Sequence, residues 1–237
     1  MKIFINKNPS INLYLVRANL MFLCLIIVLA LFSDSIRGQT SGQCKTLQNE
    51  QVYEAEMLLI NLGYWITKVD CVKDTSTNHA LIAFQKVEKL KRTGILTKEL
   101  LNNIRNASRP SPKYMEASHI EIDITRQVLF LVNNAGIVER ILPVSTGNEK
   151  KYFDQGKWQV AHTPRGIFEI ERKIAGVRRA SLGALYNPNY FYLGIAIHGS
   201  NSVPIYPASH GCIRIPRFAD KEFSSLVWIG MKIFVYD

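Results

Sequence analysis

Two hydrophobic periods divide this chain. Between residues 44 and 106 the apolar side chains recur at helical spacing. Val52, Ala55, Leu58, Leu59 and Leu62 make one stripe, closed by Gly63 where a helix C-cap wants a left-handed residue. Ala80, Leu81, Phe84, Val87 and Leu90 make a second, behind Thr77 as N-cap, and Thr97 caps a third that carries Leu100, Leu101 and Ile104. The pattern predicts a small N-terminal three-helix domain. Pro110 and Pro112 then block both helix and central strand, so residues 107–116 read as a Pro/Ser linker.

From residue 117 to 237 the period falls to two. Ile120, Ile122 and Ile124 alternate with Glu121, Asp123 and Thr125, and the strand signal continues through residues 128–132. Asn133-Asn134-Ala135-Gly136 turns the chain into a second strand at 137–144. Further strands are predicted at 166–174, 190–198 and 231–236, with one helix at 218–227. The expected fold is a mainly β domain, a β-sandwich of mixed sheets with one helix.

The first 38 residues belong to neither domain. Lys2, Lys7 and Arg17 precede an apolar run from Ala18 to Phe32, followed by Ser33, Ser35 and Gly38. That order reads as a signal peptide or signal-anchor, since roughly 15 apolar residues fall short of the ~20 a spanning helix prefers. The protein is therefore expected outside the cytoplasm, in the cell wall, the periplasm or on the extracellular face. Any membrane contact would come through this N-terminal segment.

Export changes how four cysteines read. Cys24 is a small hydrophobe within the signal. Cys44 and Cys71 bracket the first helix, and a disulfide between them would close a loop worth roughly 3–4 kcal/mol. Cys212 is left as an unpaired thiol in an oxidising compartment, which points to a reactive group.

The net charge of +10 falls to +7 without residues 1–38, with 25 Lys/Arg against 18 Asp/Glu remaining. These charges are scattered, not striped, so no nucleic-acid partner is indicated. Lys86, Lys89, Lys91 and Arg92 form the densest cluster and read as a solvated helix face.

Cys212 stands in Ser209-His210-Gly211-Cys212-Ile213-Arg214, and a second imidazole lies upstream in Ile197-His198-Gly199. A histidine beside a thiol can take its proton, and Gly211 lets backbone N–H groups approach a developing oxyanion. A zinc site built from His198, His210 and Cys212 has poor ligand spacing and no evident fourth ligand, so no metal or cofactor is expected.

These motifs, together with Thr163-Pro164-Arg165-Gly166-Ile167-Phe168 before them, occur in the order found in the L,D-transpeptidase (YkuD-like) catalytic domain, and residues 117–237 resemble it. Two departures are visible: many members carry Asn where Arg214 stands, and the gap from His198 to Ser209 is shorter. Residues 44–106 are similar to the peptidoglycan-binding domain type 1 family. The resemblance rests on Leu62-Gly63-Tyr64, Ala80-Leu81 with Phe84-Gln85, and Gly94 with Thr97 and Leu100. Asp70-Cys71-Val72-Lys73-Asp74 replaces its usual acidic loop.

The resemblance implies peptidoglycan stem peptides and glycan as partners. Cys212 would be the nucleophile and His198 the general base, oriented by a backbone carbonyl near Gly199 or Ser200. His210, Gly211 and Cys212 would line the oxyanion hole. Arg214 would grip a stem carboxylate, with Ser209, Gly199 and Tyr206 as further substrate contacts. The reaction implied is cleavage of the bond between an L-diamino acid and D-alanine in a tetrapeptide stem, with transfer to an amine to form a 3→3 cross-link.

Hydrolysis by the same residues, as an L,D-carboxypeptidase, and a non-catalytic wall-binding protein are the alternatives. Residues 200–208 are the expected lid. Tyr186, Tyr190 and Tyr192 would line the groove or pack in strands, while Trp158 and His162 read as packing residues. His79 and His119 read as incidental.

Overall fold

The computed structural model describes Cys44 and residues 46–237. The predicted signal segment and Cys24 lie outside the described residues. Helices α1 (Leu47–Asn61), α2 (Thr75–Val87) and α3 (Lys98–Asn106) come first. The first ends as its sequence predicts. Gly63 takes φ +97°, its N–H donates to Ile60 O, and Tyr64 N–H reaches back to Leu59 O, which together make a Schellman cap. Thr97 caps α3 through a 3.0 Å bond from Leu100 N–H. Helix α2 starts earlier than expected. Asp74 is its N-cap, while Thr77 sits inside the first turn and donates to the buried Glu56 carboxylate at 2.6 Å. A carboxylate outcompetes a hydroxyl for the free N–H groups of a first turn. Cys44 and Cys71 are disulfide-bonded.

Twelve strands and one helix follow among the described residues. Strands β1 (His119–Asp123), β2 (Val128–Val132), β3 (Val138–Pro143), β6 (Gly166–Glu169) and β12 (Lys232–Tyr236) form a mixed sheet in the order β3-β2-β1-β12-β6, with β1 and β12 parallel. A second mixed sheet runs β11-β10-β9-β7, from β7 (Arg172–Lys173), β9 (Gly183–Tyr192), β10 (Ile195–Ser200) and β11 (Ile213–Pro216). Strand β8 (Val177–Ala180) also pairs with β9. Strands β4 (Lys151–Asp154) and β5 (Lys157–Val160) make a separate hairpin, and α4 (Asp220–Leu226) precedes β12.

The two sheets enclose one core. Ile120, Ile122, Leu129 and Leu131 of the first sheet meet Phe191, Ile197, Ile213 and Ile215 of the second, with Phe223 of α4. The opposite parity of the first sheet is apolar too. Val128, Phe130, Val132, Val138 and Ile141 pack against Leu59, Leu81, Phe84 and Ile104 of the helices. The polar half of β1 is not solvated either. Glu121 is 1% exposed and accepts from the N–H groups of Lys113 and Tyr114 at 3.0 and 2.8 Å. Asp123 is held by Arg126 at 2.6 Å.

The predicted strand at 190–198 is two strands. Leu193 and Gly194 take φ +38° and +87°, turning β9 into β10.

The basic cluster departs furthest from expectation. Lys86, 1% exposed, donates to Gln127 O at 3.0 Å and Val144 O at 2.9 Å. Arg92 donates to Ile205 O at 2.8 Å. The helices pack on the β domain through Lys86 and Arg92, so Lys86 is buried and Arg92 partly so, while Lys89 and Lys91, beyond the end of α2, are exposed as expected.

Candidate active site

Parallel pairing of β10 and β11 sets Ile197 beside Ile213 and His198 beside Arg214. Because side chains alternate along a strand, the isoleucines enter the core and His198 and Arg214 rise together on the other face. Cys212 directly precedes β11. A cleft of about 720 Å³ opens over this face, lined by Cys212, His198, His210, Ser209 and Arg214. Tyr152 and Gln159, the inward pair of the β4–β5 hairpin, close its far side. Opposite His198, strand β9 carries a bulge at Asn187, whose φ is +46°.

Hydrogen bonds fix the loop that carries the thiol. Gly211 takes φ +130°, and a Cβ on it would lie 2.8 Å from His162 O, so only glycine fits. Thr163 Oγ1 donates to Gly211 O at 2.7 Å and accepts from Gly147 N–H at 2.9 Å. Ser209 Oγ accepts from Gly211 N–H at 3.1 Å and donates to Cys212 O. Thr146 O accepts from the N–H groups of Ala208 and Ser209, and Gln127 grips Thr146 at both its N–H and its hydroxyl.

The protonation states follow from burial. His198 Nδ1 lies 2.8 Å from Gly199 O. A carbonyl only accepts, so Nδ1 carries the proton and Nε2 keeps its lone pair. Burial pushes this imidazole down to about 4, with the Arg214 charge adding to the effect against the opposing Gly199 bond. Burial likewise pushes the Cys212 thiol up, against the Ala196 N–H and the Arg214 charge. At neutral pH the pair is a thiol and a neutral imidazole. A thiol and a histidine that holds a lone pair, lining one cleft, are equipped for nucleophilic attack on a carbonyl.

Residues 117–235 match the family model described as the L,D-transpeptidase catalytic domain, and residues 48–104 match a peptidoglycan binding domain. The solved L,D-transpeptidase of Xylanimonas cellulosilytica is 35% identical over 78% of this chain and 92% of its own, with a TM-score of 0.74. The chain belongs to the L,D-transpeptidase family. A solved L,D-transpeptidase from Stackebrandtia nassauensis is 20% identical over 79% of this chain and 91% of its own, with a TM-score of 0.47. No curated protein sequence matches the chain.

In this member of the family the residues singled out in the sequence divide into two groups. Cys212, His198, His210, Ser209 and Arg214 line one cleft. Gly211 lies in the loop that carries Cys212 without lining the cleft. Gly199 is not open to a ligand. Its Cα faces the buried Asp220 carboxylate, which a Cβ would strike, so only its carbonyl serves the site. Tyr206, 60% exposed, lies outside the cleft lining. Its carbonyl accepts from Ser145 Oγ at 2.8 Å.

Among the tyrosines, Tyr192 lines the cleft. Tyr186 instead stacks against the Arg217 guanidinium at 4.0 Å. Residues 200–208 border the cleft through Ser200 and Ser202, but Arg92, Ser145 and Thr146 tie down their backbone. Trp158 and His162 are not packing residues. Trp158 is 72% exposed, and the His162 side chain, half-exposed, lines the cleft. Their apolar and aromatic character suggested a core that the short two-stranded hairpin does not possess. Thr163, Thr146 and Gln127 were missed. Thr163 begins a motif that sequence reading did single out, but nothing in its type announces a bond to Gly211.

Proposed function

We propose that the protein is an exported wall-modifying enzyme in which Cys212 attacks the carbonyl between an L-diamino acid and D-alanine of a peptidoglycan tetrapeptide stem. His198 Nε2 takes the thiol proton as the C–S bond forms. The imidazolium then gives that proton to the departing D-alanine nitrogen. Because burial disfavours the imidazolium, the proton moves in concert with attack and not before it. Gly211 N–H is engaged by Ser209 Oγ, so the backbone N–H groups of His210 and Cys212 are the ones suited to the oxyanion, and the Arg214 fork to a stem carboxylate. An amine of a second stem then displaces the thioester and gives the 3→3 cross-link.

The observation that carries this reading is the tethering of His198 Nδ1 to Gly199 O in the cleft that holds Cys212. It leaves an unprotonated nitrogen for the thiol. Export and wall attachment through residues 48–104 fit the same substrate. Incubation with a defined tetrapeptide stem tests the reading by mass spectrometry. Cross-linked dimer with released D-alanine supports transfer, tripeptide alone means hydrolysis, and unchanged substrate overturns the proposal.

A further inference from the structure

The cleft holds another imidazole that the mechanism above leaves unused. His162 lines the same cleft as Cys212 and His198, and its carbonyl oxygen abuts Gly211. Its Nδ1 lies 2.8 Å from Glu149 Oε2. Arg165 holds the other oxygen of that carboxylate at 3.2 Å and is itself tied to Asp237 at 3.0 Å. A carboxylate only accepts, so Nδ1 bears the proton and Nε2 is a free acceptor. Glu149 thus fixes the tautomer and balances the charge that forms when the ring is protonated, as the acid of a catalytic triad does.

Resting on the proposed transfer reaction, we propose that His162, oriented by Glu149, is the proton acceptor for the amine that resolves the Cys212 thioester. An acceptor amine arrives as an ammonium ion and is not nucleophilic until it loses a proton. His198, which relays a proton in concert with bond making, is poorly suited to holding the ammonium proton, because its burial and the nearby Arg214 charge oppose a lasting positive ring there. His162 is half-exposed beside a carboxylate. Its Nε2 removes one proton from the ammonium. The freed nitrogen pair attacks the thioester carbon and the C–S bond breaks, sulfur leaving with the bonding electrons. A second amine proton reaches Sγ through His198, and the third stays on the amide. His162 releases its proton to solvent.

The test separates the two half-reactions. Enzyme is first acylated with tetrapeptide stem, freed of excess donor, and then given an acceptor while decay of the Cys212 mass adduct is followed. One acceptor is a stem peptide with a side-chain ammonium; the other is hydroxylamine, which is already neutral at pH 7. His162→Gln and Glu149→Gln are expected to slow decay with the ammonium acceptor by about 100-fold, and by less than about threefold with hydroxylamine. Equal losses with both acceptors, or no loss with either, overturn the assignment. Failure of the unsubstituted enzyme to form any adduct overturns the proposed function itself, and this inference with it.

Discussion

The Nδ1 of His198 lies 2.8 Å from the carbonyl oxygen of Gly199, its own neighbour in the chain. The bond selects one tautomer, and burial, reinforced by Arg214, pushes the ring down to about 4. An unbound histidine would titrate near 6.5. The pH profile of kcat/KM for D-alanine release should therefore stay flat through pH 6 and fall only toward pH 4. His198→Ala should lower kcat/KM by about 10²–10⁴-fold. An acid limb centred near 6.5 would mean that the base is a solvated imidazole instead.

Gly199 serves this arrangement by having no side chain. A Cβ there would strike the Asp220 carboxylate, which is itself held by Arg217 at 2.6 Å and Asn187 at 3.2 Å. Gly199→Ala should cost about 1–3 kcal/mol of stability and displace the carbonyl that orients His198. Thermal unfolding measures the first effect, and the rate of Cys212 acylation at a temperature where the variant is folded measures the second. Unchanged stability and rate would show that the backbone yields freely.

Thr163 ties Gly147 N–H to Gly211 O through one hydroxyl. Thr163→Val keeps the shape and leaves both buried groups unpaired, at a cost of about 1–3 kcal/mol. Acylation of Cys212 should slow because the loop loses a restraint. Thr163→Ser, which restores the hydroxyl, should recover most of that rate. Equal rates in the Val and Ser variants would remove Thr163 from the positioning scheme.

Lys86 gives the helical module a pH signature. Burial, with the Arg92 charge, pushes its ammonium from 10.5 down to about 7. Between those values the unfolded chain binds a proton that the folded protein lacks. The sign follows: stability rises with pH across that window, by at most about 1.4 kcal/mol per pH unit. Denaturant unfolding at pH 7 and pH 9 should show this gain in the unsubstituted protein and lose it in Lys86→Met. The same slope in both would place the lysine in a wetter setting.

Much of this fold is written in its periodicities. The helical stripe before Gly63 and the alternation of β1 each describe how one element meets its neighbour, and both appear in the structure. What the alternation omits is the third layer. Glu121 looks solvated until linker residues Lys113 and Tyr114 close on it, and Lys86 looks like a surface charge until its carbonyl partners at Gln127 and Val144 are known.

In the site, residues with unusual chemistry were legible. Cys212 and His198 stood out by type, and the alternation of β10 and β11 gathers His198 and Arg214 onto one face. Their protonation was not legible, since two flanking imidazoles suggest a ready thiolate, whereas burial raises the thiol and lowers His198. Thr163 and Thr146 act through ordinary hydroxyl and carbonyl groups that gain meaning only from position.

The most direct test is the mass of the intact protein within one turnover of a defined tetrapeptide stem. The account predicts a tripeptide acyl adduct on Cys212 matched by one released D-alanine. It also predicts no adduct in Cys212→Ala, and a markedly slower one in His198→Ala. Release of D-alanine by the Cys212→Ala protein, or an adduct on any other residue, would contradict it.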